Sequence, residues 1–231
     1  MKKILVLSLL AVFGVYLLEV LFKIDFGHQF FLHGVKDFYL TTSPDKMGVA
    51  NVVTAIVVNF RGFDTLGEVT VLFLATTAMS SILYKGRHQL GERAVLFSSS
   101  RIVMTGSKLL FPAIILLGAY VFIHGHLTPG GGFQGGVIIA TGFLLMLLSY
   151  EDYKVSHVAL SLVESLAGIT FASVGLLGFL NGGTFLQNFL PTGGLNNLIS
   201  GGVIPIIYIA VGFKVGAELT GLIYTALNEK D

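Results

Sequence analysis

The chain has 231 residues, of which 54% are hydrophobic and 12% charged, and its mean hydropathy is +0.83. Soluble domains carry about a quarter of their residues as charges, so this composition excludes an ordinary water-soluble fold and marks an integral membrane protein. A net charge of +1 offers no basic field for nucleic acid, and the absence of cysteine excludes disulfides, thiolate metal sites and cysteine nucleophiles.

Apolar runs near the roughly 20 residues needed to cross a bilayer predict an all-α polytopic transmembrane helix bundle of about seven spans, three plus four. The spans fall at 4–22, 45–60, 66–84, 102–123, 134–150, 157–180 and 201–225. In the first, Glu19 lies beside Lys23 near the end of the run, as an interfacial ion pair would. No small-residue cleavage site follows, so this span is expected to stay in the mature protein. Residues 23–44 hold Asp25, His28, His33, Lys36, Asp37 and Pro44 among aromatics. They read either as an interfacial segment along the headgroups or as a plain loop.

The stretch from Phe60 to Glu68 allows two readings. Thr65 and Glu68 have the spacing of a capping box at a helix start. Alternatively, Glu68, one turn into an apolar helix and preceded by Arg61 and Asp64, is placed to exchange protons or sodium ions with the outer face. Glu68→Gln separates the two, because the amide still caps. The densest charge follows in 85–101, with Lys85, Arg87, His88, Glu92, Arg93 and Arg101, and is expected to link a three-span unit, 1–88, to a four-span unit, 89–231.

Residues 124–136 are the most unusual. After Pro129 come Gly130, Gly131, Gly132, Phe133, Gln134, Gly135 and Gly136, a tight turn whose backbone can approach a neighbouring subunit closely. Both flanks are apolar helices, and the Lys and Ser or Thr of a nucleotide loop are missing. His124 and His126 lack a third ligand, so no metal site is expected.

Glu164 lies about 10 Å into the sixth span at 1.5 Å per residue, where a lone carboxylate costs about 2.5 to 3.5 kcal/mol. It should face a partner or a water-filled path. Lys214 and Glu218 sit one turn apart in the seventh span and form either a self-neutralising pair, with Lys214 snorkelling, or part of an ion path. Lys108, early in the fourth span, reads as a snorkelling lysine. Gly168, Ser173, Gly175 and Gly178, with Gly212, Gly216 and Gly221, suit close helix packing.

Three segments carry a family resemblance: GHLTPGGGFQGG, GTFLQNFLPTGG and SGGVIPIIYIAVGFKVGAEL. Over residues 99–226 the chain resembles the B-type subunit of the Mrp-type multisubunit sodium/proton antiporters and its counterpart in membrane-bound hydrogenase complexes. NVVTAIVVNFRGFDTLGEVTVL is similar to the C-terminal part of the large A-type subunit of the same antiporters. The resemblance implies a fusion of two small subunits, with Pro129 and Phe133 at functional motif positions and Glu68 matching the acidic residue in the tail of the large A-type chain.

It also implies an accessory subunit of a cation/proton antiporter module, within a respiratory complex related to complex I or free-standing. Glu68, Glu164, Lys214 and Glu218, with Asp64 and Arg61, then line the translocation path for Na+ or H+. The expected partners are other antiporter-module membrane subunits, lipid, and iron–sulfur or nickel–iron hydrophilic subunits. No catalytic centre, cofactor or metal is expected in this chain. The alternative is a structural connector that seals the complex without carrying ions; an independent transporter is weaker, because no inverted repeat is detectable. Basic residues in short loops stay cytoplasmic, which for seven spans predicts an outer N-terminus and a cytoplasmic C-terminus in a prokaryotic plasma membrane.

Overall fold

The computed structural model describes residues 2–23, 34–90 and 99–228. The described residues are helical, without strands: α1 (Lys2–Lys23), α2 (Val35–Met47), α3 (Val52–Thr54) running into a π-helical stretch (Ala55–Phe60), α4 (Gly62–Leu90), α5 (Arg101–Ile123), α6 (Gly132–Ser149), α7 (His157–Gly182) and α8 (Ile204–Asn228). Six of them, α1 and α4 to α8, are long and apolar enough to cross a membrane. The polytopic helical bundle is therefore observed, with one crossing fewer than expected.

The missing crossing is 45–60. Its apolar average hides Gly48 and Asn51, which break it into the end of α2, a turn and α3. Gly48 takes φ +63°, and a Cβ there would meet the carbonyl oxygens of Thr192 and Gly193 at 2.9 Å. Only glycine fits such a left-handed, crowded position. Of the 23–44 segment, 35–47 is helical and 24–33, with Asp25, His28 and His33, lies outside the described residues. In the expected linker, 85–90 continues α4, while 91–98, with Glu92 and Arg93, lies outside them.

The chain divides into two compact units, Met1–Phe38 and Tyr39–Asp231. In the first, Glu19 and Lys23 form the expected exposed ion pair at 2.7 Å. The second is built around α8, which packs against α6, α7, α4 and α5. Its core joins Val49, Ala55 and Val58 to Val69, Val174, Ile204, Ile207, Val211 and Val215. Ser100 and Ser156 cap α5 and α7 by accepting from the amides of Val103 and Ala159.

Chain direction sorts the loops of this unit. The 39–61 segment, the 124–131 turn and the 183–203 loop gather at one end, where they form a cap; the 150–156 turn lies at the other. Asn51 knits the cap. Its side-chain amide donates to the Gly125 and Thr128 carbonyls at 2.9 Å each, and its backbone N–H donates to the His126 carbonyl. The Thr54 hydroxyl donates to Gly125 O at 2.6 Å and accepts from the Tyr208 hydroxyl at 3.1 Å.

Candidate functional site

α4 and α7 both pack on α8 and leave a cleft of about 320 Å³ between them. Glu164 and Glu218 line it, and Lys214, on α8, lies against both. Its Nζ donates to Glu164 Oε1 of α7 at 3.2 Å and sits 3.7 Å from Glu218 Oε2, one turn farther along α8. α4 supplies the other walls: the Thr76 hydroxyl donates to Glu218 Oε1 at 2.9 Å, and the Phe73 ring lies under the ammonium, 5.2 Å from Nζ.

Side-chain exposure falls from 27% at Glu164 to 13% at Lys214 and 4% at Glu218. Glu218 Oε2 is buried with no hydrogen-bond partner. Two carboxylates sharing one ammonium carry a net charge of −1 when all three are ionised, so the centre has room for one further cation. Buried charge in a membrane is costly unless it is paired or reaches water, and here it is paired.

The structure thus brings together three of the expected ion-path residues, Glu164, Lys214 and Glu218, and does not bring Glu68, Asp64 or Arg61 to them. Glu164 has the partner expected of it, Lys214, and it also lines the cleft. Lys214 does not snorkel; its ammonium is held inward, chiefly by Glu164. Arg61 and Asp64 form an exposed ion pair with each other. Glu68 is exposed on α4. The capping box is not formed: α4 begins at Gly62, which puts Thr65 inside the helix, and its hydroxyl donates instead to the Val57 carbonyl at 2.6 Å. Lys108 is exposed, with its Nζ 5.0 Å from the centre of the Tyr150 ring.

The glycines of the 129–136 motif are used within the chain. A Cβ on Gly132 would meet Val211 and the Tyr208 carbonyl at 2.7–2.8 Å, and one on Gly135 the Gly118 carbonyl at 2.6 Å. On Gly136 it would meet the Gly212 carbonyl at 2.8 Å and the Gly216 nitrogen at 2.9 Å. The close docking expected against a neighbouring subunit is therefore helix packing of α6 on α5 and α8. Gly130 and Gly131 press on Val121 and Tyr208, and Phe133 packs against the core. Among the small residues of α7, Gly175 and Gly178 accept the returning 185–187 backbone and ring, whereas a Cβ on Gly168 meets nothing within 4 Å.

At the cap, His126 is fully buried with neither ring nitrogen hydrogen-bonded. Burial pushes its pKa below the ordinary 6.5, against smaller opposing effects of the Asn197 and Leu198 backbone. His124 stacks on Tyr120 instead. Among the described residues no group of three metal-ligating side chains occurs. Because the unfolded chain binds the His126 proton more readily, stability from this residue is present above pH 6.5 and lost as pH falls below it. We predict that thermal stability drops between pH 6.5 and 5 in the native protein and that His126→Leu flattens this slope; an unchanged slope in the variant would refute it.

Comparisons with known proteins agree with this architecture. Residues 102–221 match the model of a domain related to the MnhB subunit of Na+/H+ antiporters, and residues 3–95 match the model of MbhE, one of the subunits of MBH. An uncharacterized protein of Methanocaldococcus jannaschii is 31% identical over 94% of this chain and 90% of its own. A chain of the membrane-bound sulfane sulfur reductase, an archaeal respiratory membrane complex, superposes with a TM-score of 0.75 at 42% identity over 99% of both chains. A chain of the Mrp complex from Dietzia sp. DQ12-45-1b has the same fold, with a TM-score of 0.73 at 24% identity. The match covers 100% of this chain and 26% of that one.

Proposed function

The chain belongs to the family of domains related to the MnhB subunit of Na+/H+ antiporters, and on that premise we propose that it is an accessory membrane subunit on the cation path of an antiporter module in a respiratory membrane complex. The observation that carries the reading is Lys214 held between Glu164 and Glu218, which line an open cleft. A centre with two carboxylates and one fixed ammonium attracts one more monovalent cation, Na+ or H+. Its partners are the other membrane subunits of the module, with iron–sulfur or nickel–iron subunits carrying the redox step. The adjoining family matches, 3–95 and 102–221, support a fusion of two small subunits, with the join after 95 rather than at 88/89.

The basic residues favour a cytoplasmic C-terminus in a prokaryotic plasma membrane. Six candidate crossings among the described residues, an even number, favour an N-terminus on the same side, where Lys2 and Lys3 join the positive-inside pattern. Eight loop or terminal basic residues then face the cytoplasm and four face outward. Reporter fusions at each end check this: both should report cytoplasm, and opposite readings would restore a seventh crossing.

A structural connector is the second reading, favoured by the mutual pairing of the three charges. Glu218→Gln in the native complex separates the two. The ion-path reading expects the complex to purify intact with cation/proton exchange reduced tenfold or more, about 1.4 kcal/mol or greater. Exchange at the native rate in an intact complex defeats it, and loss of the complex while the remaining assembled fraction transports normally supports the connector.

A further inference from the structure

We infer that the α4–α7 cleft is an aqueous half-channel, open at the end of the bundle that carries the 150–156 turn and closed beyond Lys214. Taking the centre as part of a cation path, the inference adds the side from which that centre is reached.

His157, Ser81 and Ser161 stand at the mouth and are exposed; Thr76 and Glu218, at the far end, are buried. From His157 to Glu164 is seven residues of α7, about 10 Å of depth. Hydroxyls line the way, from Ser81 and Ser161 past Thr77 and Ser80 to Thr76.

Beyond the centre the interior is apolar: Val69, Ile207, Val211 and Val215 are all buried in one cluster. The seven residues of α8 from Lys214 back to Ile207 span about another 10 Å.

A volume of 320 Å³ holds about ten waters at roughly 30 Å³ each, and the hydroxyls and carboxylates along its walls suit water and a small cation. Glu218 Oε2, which pairs with Lys214 at 3.7 Å and has no hydrogen-bond partner among the described residues, is the acceptor a water or cation would complete at the closed end. With all three groups ionised, the net charge of −1 favours cations over anions.

The natural absence of cysteine in this chain makes the test direct. Ser161→Cys and, as a reference in the 150–156 turn, Lys154→Cys are placed singly in the native complex. Sealed vesicles of both orientations are treated with two impermeant methanethiosulfonates, one bearing ethyltrimethylammonium and one ethylsulfonate, and modification is read as a mass shift of this chain. Ser161→Cys is expected to react only from the side on which Lys154→Cys reacts. Relative to that reference, the cationic reagent should be favoured at Ser161→Cys by roughly tenfold or more.

Reaction from the opposite side, no reaction while Lys154→Cys reacts, or no charge preference would overturn the half-channel. Labelling is independent of transport, so an unlabelled Ser161→Cys with a defective Glu218→Gln removes the access path and leaves the ion-path reading standing. Labelling as expected beside a normal Glu218→Gln removes the ion-path reading instead.

Discussion

Lys214→Met is expected to destabilise the assembled protein by about 3 kcal/mol and to abolish cation/proton exchange, because it leaves Glu164 and Glu218 without the ammonium that lies 3.2 and 3.7 Å from them. Breaking a buried pair from one side costs roughly 3–5 kcal/mol, and the open cleft favours the lower figure. The triple variant Lys214→Met, Glu164→Gln, Glu218→Gln carries no uncompensated charge, so it should regain most of the stability while remaining inactive. Thermal melting of the purified complex and exchange in vesicles read the two effects separately. An active triple variant would mean that the centre only holds the helices together.

Gly136→Leu is expected to prevent α6 from docking and to deplete the chain from membranes. Already a single Cβ there comes within 2.8–2.9 Å of backbone atoms of Gly212 and Gly216, and backbone cannot rotate away as a side-chain tip can. Overpacking by small groups costs about 1–3 kcal/mol, so Gly136→Ala should survive with a lowered melting temperature while the leucine variant does not. Gly168→Ala serves as the control: its Cβ meets nothing within 4 Å, and helix propensity makes it neutral or stabilising by up to about 1 kcal/mol. Equal melting temperatures for Gly136→Ala and Gly168→Ala would contradict the close packing of α6 on α8.

The charged part of the centre was legible because charge in an apolar run is conspicuous: Glu164, Lys214 and Glu218 stand out in spans with few other ionisable groups. Their mutual geometry was not. Spacing along α8 pairs Lys214 with Glu218, yet the hydrogen bond goes to Glu164, fifty residues earlier, since only tertiary packing decides which face of α7 meets α8. Thr76 gave no signal, because a threonine in a membrane helix ordinarily bonds its own backbone, and Thr76 itself lies within reach of the Leu72 and Phe73 carbonyls as well as of Glu218.

Glu68 was conspicuous for the same reason as Glu164, but it is exposed on α4 and takes no part in the centre. The span assigned to 45–60 failed because a hydropathy average weighs apolar content and not continuity. Gly48 and Asn51 were the signal that outweighed it, and Asn51 turned out to stitch the cap.

The hydrogen bond from Thr76 to Glu218 joins a residue of the 3–95 match to one of the 102–221 match. Were those segments separate polypeptides, completing the centre would be a second-order event limited by the abundance of each piece in the bilayer. Covalent continuity replaces that abundance with an effective concentration on the order of millimolar for a short flexible connection. The two halves are thereby made in equal number, and the wall that α4 contributes is present on every copy of α8.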